Sequence, residues 1–125
     1  MRVEKEHTSA NVTEQIILDY KSGLHEFEKK MPHIADKYNE FTAACFKEGE
    51  LDQKQKQLIA LGISIYSQDE YCIVYHTKGC MDQGCTEKEI LEAAGVTAAF
   101  GGGAAISQSV TLVQDTLDEL NQMKH

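Results

Sequence analysis

The sequence predicts an all-α fold of about six helices with no sheet. Apolar residues recur at intervals of three and four along most of the chain, and no segment alternates with period two. The 125 residues include a single proline and no tryptophan. A chain of this length makes one domain with a modest core. Residues 1–125 are therefore read as a single domain, with residues 1–10 expected to be disordered.

Each helix carries its own signals. Asn11-Val12-Thr13-Glu14 has the form of a capping box and opens a helix with Ile16, Ile17, Tyr20, Leu24 and Phe27 on one stripe. Pro32 ends that helix and suits the first position of the next. There Ile34, Tyr38, Phe41 and Cys45 line up, and Gly49 is the expected stop. Asp52 starts a third helix through Leu58, Ile59, Leu61, Ile63 and Ile65. It is apolar on most sides and so expected at the centre. Ser67-Gln68-Asp69-Glu70 repeats the capping-box pattern, making Ser67 the expected cap of a fourth helix that ends near Gly84. Thr86-Glu87-Lys88-Glu89 opens a fifth, with Ile90, Leu91 and Ala94 inward. Gly101-Gly102-Gly103 breaks or kinks the chain before a sixth helix bearing Val110, Leu112, Val113, Leu117 and Leu120.

With 42% hydrophobic and 26% charged residues, the composition is that of a soluble globular protein. The net charge of -8 argues against nucleic-acid and anionic-membrane partners. From Ala93 to Gln114 no residue is charged, a stretch about as long as a membrane span. It holds the glycine triplet together with Thr97, Ser107, Gln108, Ser109 and Thr111, and is read as helix packed within protein. The amino-terminal residues lack the apolar run of a signal peptide. Glu4, Glu6 and His7 read as a solvated terminus, and His125 as a disordered end. Cys45, Cys72, Cys80 and Cys85 without such a signal point to a reducing cytoplasm, and there to free thiols, a redox pair or a metal site.

The chemistry-bearing residues lie on the fourth helix. Asp69, Cys72, His76 and Cys80 are spaced so that they share one face. With Ser67 as cap, Cys72 falls in the second turn, where the helix field favours the thiolate and the Asp69 carboxylate opposes it. Packing is the ordinary role of a cysteine. Cys80 and Cys45 are expected in the core, and Cys85 is expected at an exposed turn. A disulfide between Cys72 and Cys80 is excluded within one helix, because eight residues at ~1.5 Å rise separate them by about 12 Å, beyond the ~7 Å limit. Cys80 and Cys85 can be bridged across the helix end. Cys72, His76 and Cys80 offer a metal two sulfurs and a nitrogen but no fourth ligand, so no metal and no cofactor is expected.

The run Leu51-Asp52-Gln53-Lys54-Gln55-Lys56-Gln57-Leu58-Ile59-Ala60-Leu61, followed by Glu70-Tyr71-Cys72-Ile73-Val74-Tyr75-His76, resembles the carboxymuconolactone decarboxylase and alkylhydroperoxidase D-like family. Gly84 to Ala93 and Gly101-Gly102-Gly103 fit the same pattern, so the likeness covers about residues 51–106. It implies an alkylhydroperoxidase D-like helical domain assembled as a homo-oligomer, often a hexamer built as a trimer of dimers. In the family's peroxidases a glutamate precedes Cys-x-x-Cys, and a histidine follows four residues later. The second cysteine attacks peroxide, the first resolves it, and glutamate and histidine relay the proton. By resemblance Cys72 stands for the attacking cysteine and His76 for the histidine, while Asp69 replaces the resolving cysteine and Gln57 the glutamate.

Asp69 cannot close a disulfide, and Gln57 cannot take up a proton near neutral pH. The catalytic expectation is thus a one-cysteine peroxide or thiol redox cycle at Cys72, with His76, Asp69 and Gln57 around it. The sulfenic acid would be resolved by an external thiol, Cys85 or Cys80. Two alternatives stand beside it. One is a non-catalytic oligomeric family member. The other is a decarboxylase-like small-acid enzyme, for which Lys54, Lys56 and Lys78 are the only nearby cations.

Overall fold

The computed structural model describes the backbone of residues 2–123 and the side chains of residues 12–122. Met1, Lys124, His125 and the side chains of residues 2–11 and of Met123 lie outside the described residues, and with them the expectations for the Glu4, Glu6 and His7 side chains and for the last residue. Among the described residues the chain is helical with no strand. The helices are α1 (Arg2–Lys30), α2 (Pro32–Phe46), α3 (Gln53–Ser67), α4 (Glu70–Asp82), α5 (Glu87–Gln108) and α6 (Gln114–Met123), the last two joined by a π-helical turn, Ser109–Val113.

Local signals account for most of the boundaries. Pro32 occupies the first turn of α2, where its missing N–H is no loss. Asp52 caps α3 with a reciprocal box to Gln55, and Thr86 caps α5 with a reciprocal box to Glu89. Gly84 takes φ 88 in the turn after α4, a region that favours glycine. The glycine triplet bends α5 as expected, through Gly102 at φ 62, ψ -143, a conformation essentially reserved for glycine.

Three boundaries differ from expectation. The first helix begins at Arg2, not at Asn11, because no proline or glycine interrupts the preceding residues. Thr13 is buried and its hydroxyl donates to Glu119 of α6, a tertiary contact rather than a cap. The second helix stops at Phe46, short of Gly49, when Lys47 turns extended. The third boundary moves the cap of α4. Ser67 is still the last residue of α3, with its hydroxyl bonded back to Ser64 O at 3.1 Å. Gln68 takes the left-handed conformation, and Asp69 is left as the cap of α4. Both serine and aspartate are good caps, and the tight α3–α4 turn selects the second.

The core is contributed by Leu61 and Ile65 of α3, Ile73 and Cys80 of α4, Ile90, Ala94 and Ala105 of α5, Val113, and Leu117 of α6. The helical segment from Glu87 to Gln122 is long and apolar enough to cross a membrane by length and composition. It bends at Gly102 and sends five residues into the core, while Val96, Phe100, Ile106 and Val110 on it are exposed.

The α3 helix is central on one face only. Leu61 and Ile65 are fully buried, whereas Ile63 is 64% exposed. Ile63 joins Ile59, Tyr66, Val96 and Phe100 around a shallow apolar hollow of about 520 Å³ between α3 and α5. Phe100 is 82% exposed there. The expected inward stripe of α2 is also open: Ile34, Tyr38, Phe41 and Cys45 are all exposed. Periodicity locates an apolar stripe but not what covers it.

Candidate active site

The α3–α4 turn sets the geometry. Asp69 Oδ1 accepts from the Cys72 backbone N–H at 3.1 Å, so Cys72 is the third residue of α4 and lies in its first turn. This corrects the second-turn placement that followed from a Ser67 cap. Asp69 therefore reaches Cys72 as the cap, not from a shared helical face. The same carboxylate stands close enough to the Cys72 thiol to act on it electrostatically. The first-turn position favours a thiolate, but burial and the adjacent carboxylate together push the thiol up from its ordinary value. Cys72 rests as a protonated, half-buried thiol beside a carboxylate.

His76 follows one turn later, its Nδ1 2.9 Å from Gln57 Oε1 across the α3–α4 contact. An amide oxygen only accepts, so this contact is a hydrogen bond with the ring proton on Nδ1, which leaves Nε2 its lone pair. Burial lowers the affinity of the ring for a second proton, offset in part by Asp69, so the imidazole is neutral. The ring of Phe46 stacks on it with centroids 5.7 Å apart, and Tyr75 meets it edge-on at 5.2 Å.

Cys72, His76 and Gln57 open onto one hollow of about 400 Å³, walled by Tyr20, Tyr38, Phe46, Tyr71 and Tyr75. Tyr20 and Tyr71 stack at 3.6 Å, and Tyr71 continues to Tyr75 at 5.4 Å. Burial and the neighbouring tyrosines push the Tyr71 hydroxyl well above its ordinary value, so it stays a neutral donor. The lining holds no lysine or arginine. Tyr20 and Tyr38 sat on the apolar stripes of the sequence, but nothing there showed that α1, α2 and α4 turn their aromatic residues into one hollow.

Structure brings Gln57, Asp69, Cys72 and His76 together and separates Cys80 from them. Cys80 is buried in the core, as expected, beside Cys85. Cys85 is buried as well, contrary to the exposed turn expected: its N–H bonds Cys80 O at 2.9 Å and draws it under the α4 end. Both thiols are free. The sulfur–nitrogen–sulfur row for a metal does not form, and among the described residues no cluster of three such ligands occurs. Of the candidate cations, Lys54 pairs with Glu89 at 3.0 Å, and Lys56 donates to the Cys45 carbonyl at 2.9 Å. Lys78 lines a separate hollow of about 220 Å³ with Lys21 and Asp82, on the far side of Gln57.

Burial and Cys85 push the Cys80 thiol up to about 12 from 9.0. Above pH 9 the unfolded chain releases this proton while the folded chain holds it. The contribution of Cys80 is thus fully present below pH 9 and is lost as pH rises toward 12. Stability should fall over that interval, with a Cys80 share on the order of 1 kcal/mol per pH unit. Melting curves of the protein and of Cys80→Ala test this, the variant showing the shallower decline.

A family model, the carboxymuconolactone decarboxylase family, matches residues 32–115. "Uncharacterized protein 4 in cox locus" of Paracoccus denitrificans is 32% identical over 100 residues, spanning 80% of this chain and 89% of its own. Nitrosuccinic acid decarboxylase of Metarhizium robertsii is 31% identical over 70 residues, spanning 56% of this chain and 49% of its own. Among solved structures, a carboxymuconolactone decarboxylase family protein of Legionella pneumophila superposes with TM-score 0.82 at 27% identity, covering 87% of this chain and 97% of that one. A protein of the same family from Thermotoga maritima, with a suggested part in an antioxidative response, gives 0.77 at 27% identity over 86% and 92%.

Proposed function

This chain belongs to the carboxymuconolactone decarboxylase family, and from that premise we propose that it is a one-cysteine hydroperoxidase acting at Cys72. The observation that carries the reading is that Cys72 opens onto an aromatic hollow with His76 while the Asp69 carboxylate caps its backbone N–H from the helix end. In a dithiol site the residue at position 69 would be the resolving cysteine. Here it is a carboxylate beside the thiol, a base for the proton that must leave.

The reaction is written Cys72–SH + ROOH → Cys72–SOH + ROH. The thiol proton passes to Asp69 as sulfur attacks the outer peroxide oxygen. The O–O bond breaks, sulfur is oxidised by two electrons, and Asp69 returns the proton to the departing alkoxide. His76, neutral and with Nε2 unprotonated, accepts a hydrogen bond from the peroxide hydroxyl, and Gln57 holds its ring. An external thiol then condenses with the sulfenic acid, releasing water, and a second external thiol frees Cys72 as a thiol. Cys80 and Cys85 lie in the core rather than in the hollow, so they take no part.

The working form is a homo-oligomer, a hexamer by family resemblance, acting in a reducing cytoplasm. The exposed apolar face around Ile63 and Phe100 supports assembly, since obligate interfaces resemble a core cut in half.

One observation favours a second reading, decarboxylation of a small acid. A relative acts as a nitrosuccinic acid decarboxylase, and Lys21 and Lys78 stand across Gln57 from the aromatic hollow. Two variants separate the readings. For the hydroperoxidase, Cys72→Ser abolishes consumption of an organic hydroperoxide in the presence of excess thiol. A decarboxylase keeps its turnover of a small acid in Cys72→Ser and loses it in His76→Ala.

A further inference from the structure

We infer that Gly79 is a positioning residue for His76, acting through the Gln57 amide and selecting the imidazole tautomer. Gly79 lies inside α4, three residues after His76. Glycine is a poor helix former, and alanine would suit the backbone better. What fills the place of its side chain is the end of Gln57. A Cβ at position 79 would stand 2.7 Å from Gln57 Cδ and 3.1 Å from Nε2, and closer still to Oε1. At Gly95 and Gly103, also within a helix, a Cβ would meet open space.

The bare face of α4 at Gly79 is therefore the seat on which the amide lies when Oε1 reaches His76 Nδ1 at 2.9 Å. The group that a Cβ meets is the tip of a flexible side chain rather than backbone. An added methyl displaces the amide and leaves the helix in place. His76 then loses the acceptor that holds its proton on Nδ1, and the neutral ring redistributes between its two tautomers.

The test is long-range proton–nitrogen correlation on the imidazoles of the ¹⁵N-labelled protein, at a pH where the ring is neutral, with His76 assigned by its loss in His76→Ala. The intact protein should show His76 as the Nδ1–H tautomer. Gly79→Ala should fold, melt at or above the temperature of the parent, and show a mixture of tautomers. Gln57→Ala should show the same mixture, and adding Gly79→Ala to it should change nothing further. The inference is overturned if Gly79→Ala keeps the parental tautomer or fails to fold. It is equally overturned if Gln57→Ala keeps that tautomer, or if the two substitutions add. The measurement is made on the resting protein, so its outcome stands apart from whether Cys72 reduces peroxides.

Discussion

Asp69→Asn should move two rates in opposite directions. Asparagine keeps the cap of α4, because its side-chain oxygen still accepts from the Cys72 N–H. It removes the negative charge that, after burial, holds the thiol up. Alkylation of Cys72 by iodoacetamide near neutral pH should therefore rise, by about tenfold for each unit the thiol falls. Asparagine cannot take the thiol proton. Hydroperoxide consumption should drop by about a hundredfold, the low end of what a positioned base contributes. A carboxylate that merely suppressed the thiolate would let both rates rise together, and one with only a structural role would let both fall. Stopped-flow alkylation beside a coupled peroxide assay reads the two directly.

The second large effect concerns assembly. The parent protein should scatter light as a multiple of 13.9 kDa. Ile63→Asp with Phe100→Asp should return it to that mass. Both side chains are largely exposed in the single chain, so the fold does not depend on burying them. A covered charge at either would be left without a partner, at a cost of several kcal/mol per site. If the parent already runs at the mass of one chain, or if the double variant keeps the assembly, the apolar face around Ile63 and Phe100 is not the interface.

Much of the fold was legible because the relevant signals are local. The Asp52–Gln55 and Thr86–Glu89 boxes, Pro32 at the start of α2, and the glycine bend in α5 each depend on a few neighbouring residues. The misplaced features depend on tertiary context. Ser67 and Asp69 both suit a cap, and the left-handed turn at Gln68 decided between them. Cys45 and Cys85 exchanged their expected exposures because burial depends on which helix passes overhead. One apolar stripe, that of α3, was right about Leu61 and Ile65 yet silent on the open side at Ile63.

The candidate site divides in the same way. Cys72 and His76 stood out from four-residue spacing alone. Gln57 entered only through the family resemblance, since nothing in one chain's spacing pairs residues of α3 and α4. The direction in which the Cys72 thiol moves needed the cap register. A Ser67 cap would have put the thiol two residues deeper, in the second turn, whereas the Asp69 cap puts helix end, carboxylate and thiol together. Gly79 carried no signal, because a glycine in a helix shows its purpose only when the side chain resting on it is seen.

The central claim is that a hydroperoxide oxidises Cys72. Its most direct test is mass mapping after exposure to an organic hydroperoxide with dimedone present to trap sulfenic acid. The account predicts a dimedone adduct on Cys72, absent from Cys80 and Cys85, that forms more slowly in Asp69→Asn. An unmodified Cys72 in a folded, oligomeric sample that has met excess hydroperoxide would contradict it.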